Sequence, residues 1–200
     1  MGKIETKKEN KRKDLLNAAF ELFTTKGFTD TSIADIVGKA GIAKGTFYLY
    51  FKDKTDIRNR LISSKATQVL REACTRLAQT DITKLDDQFI FLTDNILEAL
   101  QNDRSLLFFL SKHLNWGMFI HSLEGDKVVS GITARELYSQ LIERSDYRFD
   151  NPEIIIYLII ELVAGVSYNA ILYQEPVSIE ELKPYLHDLI RRILNDYNQA

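Results

Sequence analysis

No proline occurs before residue 152, and apolar residues recur at three- and four-residue spacing along nearly the whole 200-residue chain. A stretch of that length free of helix breakers, with 3.6-residue periodicity and no sustained alternation at period two, predicts an all-α protein. The three prolines, at 152, 176 and 184, fall near helix starts or between helices, where a missing N–H costs least.

Periodicity and end signals predict about nine helices. The first runs from Lys7 or Lys11 to Lys26, with Thr6 and Glu9 as a capping box and Gly27 as its stop. A short second helix spans Thr31 or Ser32 to Ala40 and ends at Gly41, and a third covers Lys44 to Phe51. A long fourth starts at Lys54 and reaches about Leu77. Others are expected at 84–101, 105–114, within 127–145, at 153–173 and at 179–197. Asn151-Pro152 supplies a cap and first-turn proline for one, and Ser178 with Glu181 a capping box for the last. Residues 117–127 read as a long loop.

The charge is unevenly placed. Residues 1–60 hold 13 Lys+Arg against 8 Asp+Glu, whereas residues 61–200 hold 13 against 20, so a basic end sits on an acidic body. A basic end suits a polyanion, since phosphate contacts need cations where the nucleic acid lies. A chance clustering of solvated charges would give the same count.

Two short helices joined by a tight glycine-containing turn behind a longer first helix are the layout of a helix-turn-helix, whose second helix enters a DNA major groove. Each residue advances a helix by about 100°. Phe47 and Phe51 therefore lie one turn apart and point inward. Leu49 points outward, flanked by Gly45, Thr46 and Tyr48, with Tyr50 at the side. Hydroxyls and a phenol can donate to phosphate oxygens, an aliphatic can meet a thymine methyl, and Lys44 can reach a base edge or phosphate. Thr31 and Ser32 offer hydroxyls at the start of the second helix, and Lys54 a cation at the start of the fourth. The alternative is that the tyrosines cover core and the hydroxyls only cap.

The stretch "TSIADIVGKAGIAKGTFYLYFKDKTDI", preceded by "LLNAAFELFTTKGFTDTS", resembles the DNA-binding motif of the tetracycline-repressor-like (TetR/AcrR) transcriptional regulators over residues 11–60. The resemblance implies phosphate contacts at Thr31, Ser32, Tyr48, Tyr50 and Lys54, and base contacts around Lys44, Gly45, Thr46 and Leu49. It also implies a DNA-binding domain at 1–53 and a helical ligand-binding and dimerisation domain at 54–200. The expected function is that of a sequence-specific regulator, a ligand-responsive repressor binding a palindromic operator as a dimer. The rival within the same fold is an interaction protein acting through a protein partner.

In the second domain, "PEIIIYLIIELVAGVSYNAILY" is apolar nearly all round, with Glu161 the single charge between Ile154 and Leu172. A membrane span is one reading. Glu161, Ser167, Asn169 and the tyrosines argue instead for a helix buried by its own domain and by a second copy. The last helix carries a wide stripe of Ile179, Leu182, Leu186, Leu189, Ile190, Ile193 and Leu194, so a homodimer through residues 153–173 and 179–197 is expected, with a monomeric core as the alternative. Candidates for an effector pocket are Phe89, Phe108, Phe109, Trp116, Phe119, Tyr138, Tyr157 and Tyr168, with Glu161 as the polar feature favouring a cation. The alternative, which the residue types favour, is that most of these rings are core and that Glu161 pairs across the dimer or with an arginine.

Cys74 is the single cysteine, and His113, His121 and His187 are scattered without ligand spacing, so neither a disulfide framework nor a metal site is expected. No nucleophile-base set or phosphate loop points to an enzyme. The charged start "MGKIETKKENKRKDLL" lacks a signal peptide's apolar stretch, and a cytoplasmic protein is expected. The expected partners are double-stranded DNA, a second copy of the chain and an unknown small-molecule effector, with no other cofactor and no membrane.

Overall fold

The computed structural model describes residues 3–113, 127–129 and 132–199. Its helices are α1 (Lys3–Thr25), α2 (Ile33–Ala40), α3 (Lys44–Phe47), α4 (Lys54–Leu77), α5 (Leu85–Asn102), α6 (Arg104–His113), α7 (Ala134–Glu143), α8 (Pro152–Leu172) and α9 (Ile179–Asp196). A minimal antiparallel ribbon, β1 (Lys127–Val129) with β2 (Ile132–Thr133), precedes α7. The all-helical expectation holds apart from this ribbon, and α7 lies within the expected 127–145. The expected loop at 117–127 lies almost wholly outside the described residues.

The chain divides into two compact units, residues 1–64 and 65–200. The boundary falls inside α4 and not at residue 53, because the first turns of α4 are bound into the N-terminal unit by the contacts of Lys54 and Arg58 described below. Residues 61–64 are uncharged, so the basic and acidic portions of the sequence coincide with the two units.

In the first unit, α1 packs on α2. It begins at Lys3, which places Thr6 inside the helix and not at its cap. Leu15, Leu16, Ala18, Ala19 and Phe23 of α1 are buried, as are Ile36 and Val37 of α2 and Phe47 and Phe51. Helix α2 begins on a reciprocal cap: Ser32 Oγ accepts from the Asp35 amide while the Asp35 carboxylate accepts from the Ser32 amide. It ends at Gly41, whose φ of 65° is the left-handed turn that a side chain would strain.

The second unit is built on three helices. Leu85, Phe89, Ile155, Ile159, Ile190 and Leu194 form one core cluster among α5, α8 and α9, and Leu97, Ala170, Ile179 and Leu186 form another. Helix α6 packs on α5 and α8. The Ser178–Glu181 capping box of α9 is present. Asn151 stands before Pro152 as expected, but its side chain makes no cap; its backbone carbonyl accepts from the amides of Ile154 and Ile155. Arg191 of α9 reaches Asp86 and Asp87 of α5 at 3.3 and 2.6 Å, and His187 lies 2.8 Å from Asp94.

Candidate nucleic-acid interface and ligand cavity

The third helix is shorter than its periodicity suggests. Only residues 44–47 are α-helical; Leu49 and Tyr50 then bond three residues back, to Thr46 and Phe47, and Phe51 closes a last i→i+4 bond to Phe47 at 3.0 Å. The turn tightens because Phe47 and Phe51 are both drawn into the core, 0% and 1% exposed, with ring centroids 5.6 Å apart. The inward–outward division of the aromatic run therefore survives the loss of regular helix.

On the outside lie Lys44, Gly45, Tyr48 and Leu49, with Thr46 and Tyr50 half-buried; Leu49 is 74% exposed. An aliphatic left so open in a folded unit contributes little to the core. At Gly45 an added Cβ would meet nothing within 4 Å, so the fold itself does not demand a glycine there. Ser32 is exposed at the N-cap of α2, beside amides that open toward solvent. Hydrogen bonds from the Ser32 amide, from Lys26 and from the Ser32 hydroxyl hold the Asp35 carboxyl down to about 2.

Two residues grouped with this surface are turned to other work. Thr31 is 1% exposed, and its hydroxyl donates to the carbonyl of Gly27 at 2.7 Å, tying the α1–α2 connection together. The ammonium of Lys54 donates to three carbonyls of the same connection, Phe28 at 2.7 Å, Thr29 at 3.2 Å and Thr31 at 2.8 Å. That uses all three of its protons. It also lies 4.5 Å from the centroid of Phe28, whose ring is approached by the Arg58 guanidinium at 4.4 Å. A lysine at a helix start suggests an anion; only the folded connection shows the carbonyl cluster that captures it.

The second unit holds a cavity of about 380 Å³, within the range of small-molecule sites. Its walls come from the later part of α4 and from α5 to α8. They are mostly aliphatic: Val69, Leu70, Ile96, Leu107, Leu141 and Ile160 are representative. Phe89, Tyr138 and Glu161 line it as expected. Tyr138 stands edge-on to Phe89 with centroids 5.9 Å apart and donates to the carbonyl of Pro152 at 2.5 Å. Phe108, Phe109, Tyr157 and Tyr168 are not in its walls. Phe109 is buried elsewhere, Tyr157 is 37% exposed, and Tyr168 packs on Tyr173. Among the described residues, Tyr157 and Tyr168 therefore do not join Glu161 in an aromatic cage for a cation. Trp116 and Phe119 lie outside the described residues. The sequence reading missed Arg135 and Glu153, an ion pair in the cavity wall, and Cys74, whose thiol is pushed up to about 12 by burial. Among the described residues no group of His, Cys, Asp and Glu could hold a metal ion.

Residues 15–61 match the family described as bacterial regulatory proteins, tetR family. The chain is 30% identical over 105 residues to an uncharacterized HTH-type transcriptional regulator of Bacillus subtilis, YdgC, covering 52% of this chain and 54% of the relative. It is 26% identical over 136 residues to the fatty acid metabolism regulator protein of the same organism, covering 68% and 57%. The aligned stretches thus span little more than half the length of these relatives. Among solved structures, the transcriptional regulator FadR from Bacillus subtilis in complex with stearoyl-CoA shares the fold over 93% of this chain and 97% of its own, with a TM-score of 0.56 at 18% identity. Residues 15–61 therefore carry the helix-turn-helix unit of the tetR family of bacterial regulatory proteins, and the chain shares its fold along nearly its whole length with a solved regulator structure.

Proposed function

We propose that the protein is a cytoplasmic, ligand-responsive repressor that binds a palindromic operator as a homodimer. The observation that carries this reading is the outward face of the α3 turn: Lys44, Gly45, Tyr48 and Leu49 stand open on a basic unit, with Thr46 half-buried beside them, while Phe47 and Phe51 anchor the turn beneath. In this reading Lys44, Gly45, Thr46 and Leu49 meet base edges, Ser32, Tyr48 and Tyr50 meet phosphates, and Thr31 and Lys54 shape the connection.

Dimerisation is supported by the outer face of α8. By length and composition α8 could cross a membrane, yet its Ile155, Ile159, Ser167 and Ala170 are buried against its own unit. What remains open is a stripe of Ile154, Tyr157 and Leu158, continued on α9 by Tyr185 and Leu189, 69% and 42% exposed. A second copy covering this stripe gives a four-helix interface and sets the spacing of two recognition surfaces near one DNA turn.

The effector is an apolar chain, held by the aliphatic walls of the cavity. The relatives named for fatty acid metabolism and for a stearoyl-CoA complex support an acyl ligand. Its binding favours a state unfit for the operator; a coupling of about 1–3 kcal/mol lowers DNA affinity roughly 5- to 150-fold. No cofactor or metal beyond this effector is required. The test has two steps. Duplexes enriched from a random library by the full-length protein should share a palindrome with half-sites about one turn apart, and acyl-CoA thioesters of increasing length should release them. Enrichment without any shared sequence refutes the DNA reading; specific binding indifferent to every thioester refutes the ligand.

A further inference from the structure

The basic residues at the start of α1 have no part in the reading above. Helix α1 has 23 residues, and from residue 7 onward the first buried one is Leu15. None of residues 7–14 is buried, so eight helical residues, about 12 Å of helix, extend past the packed segment. They read "KKENKRKD" and contain no apolar side chain. They also lie outside residues 15–61, the segment that matches the family.

Their phase is specific. Leu15 is 0% exposed and therefore marks the direction in which α1 packs. At about 100° per residue, Lys8, Lys11, Arg12 and Lys7 fall within about 80° of that line, whereas Lys13 falls nearly opposite. Asp14 and Glu9 lie outside that sector, and Glu9 is paired with Arg12 at 2.9 Å. Lys7, Lys8 and Lys11 are exposed. The result is a three-lysine stripe that continues the packed side of α1 beyond the domain edge, overhanging the side where α2 sits.

We propose that Lys7, Lys8 and Lys11 form a second nucleic-acid contact, a clamp on backbone phosphates of duplex DNA flanking the site read by α3. The inference rests on the DNA-binding reading above. Cations on an eight-residue stretch that has no apolar side chain of its own suit phosphates, which give affinity without sequence preference. A membrane partner would need an apolar face for insertion, which this stretch lacks.

The test compares full-length protein, K7Q/K8Q/K11Q and K13Q on the duplex enriched from a random library and on a scrambled duplex, across a salt series. Each phosphate contact contributes about 0.9 to the slope of log affinity against log salt, so the triple variant should lose roughly 2 to 3 from that slope on both duplexes. K13Q should keep the wild-type slope, and K7R/K8R/K11R should restore it. The ratio of specific to scrambled affinity should stay within about twofold. Circular dichroism reports whether the helix is retained. An unchanged slope in the triple variant overturns the clamp while leaving the α3 reading intact; an equal loss in K13Q overturns the assigned face. Wild-type protein with no preference for any duplex overturns the DNA-binding reading and the clamp with it. Loss of binding to phosphatidylserine vesicles with an unchanged DNA slope gives the stripe to a membrane surface and overturns the proposal.

Discussion

Replacing Lys54 with methionine separates two roles that a lysine beside DNA can play. The side chain holds the carbonyls of Phe28, Thr29 and Thr31 at 2.7, 3.2 and 2.8 Å. A hydrogen bond to a charged group is worth about 1.5–3 kcal/mol, but carbonyls at a partly exposed connection recover water once the ammonium leaves. Methionine keeps the apolar stem and some of the contact with Phe28. We therefore expect the first unit to lose about 2–3 kcal/mol, less than the sum of three such bonds. At 1.4 kcal/mol per factor of ten, amides in residues 26–32 and 54–60 should exchange hydrogen roughly 30- to 150-fold faster. Exchange is the right assay because a chain of two units need not unfold in one step. The salt slope of DNA binding should not change. If exchange were unaltered while the slope fell by about 0.9, the ammonium would be on a phosphate and the carbonyl clamp would be wrong.

Gly45→Ala should stabilise the first unit by about 0.5–1 kcal/mol in thermal unfolding, since the site is open and alanine is the better helix former, yet weaken operator binding by crowding the DNA. The Asp35 carboxyl is held at about 2, below its ordinary value of 3.8, so the cap it makes is fully present above about pH 4 and fades as pH falls through 2; a carboxyl-carbon NMR titration should show that midpoint, and Asp35→Asn should remove the dependence. Tyr185→Asp with Leu189→Asp should yield monomers in sedimentation and abolish tight operator binding, leaving the far-ultraviolet spectrum unchanged. Cys74, with its thiol raised to about 12, should react with a disulfide reagent at pH 8 at least about 100-fold more slowly than a free thiol, and an acyl ligand in the cavity should slow it further.

The helix-turn-helix was legible because its signals are local. The stops at Gly27 and Gly41 and the one-turn spacing of Phe47 and Phe51 need no distant partner to be read. The partners of Lys54 were illegible because they are carbonyls 23 to 26 residues away, brought together only by the fold. The cavity was illegible for a different reason. Val69, Leu107 and Ile160 occupy the same periodic positions whether the space before them is filled or hollow. Tyr157 and Tyr168 shared a helix side with Glu161 but not its surroundings, because a helix apolar all round offers no signal of which side faces the hollow. The strands Lys127–Val129 and Ile132–Thr133 were too short for alternation to register.

The exposed positions of α3 stand apart from the residues that hold the turn. Phe47 and Phe51 fix the backbone, and Lys44, Gly45, Tyr48 and Leu49 ride exposed on it. Substitutions at those four positions are therefore nearly free of thermodynamic cost, and a lineage carrying this domain can change the DNA word it reads while keeping the scaffold that presents it.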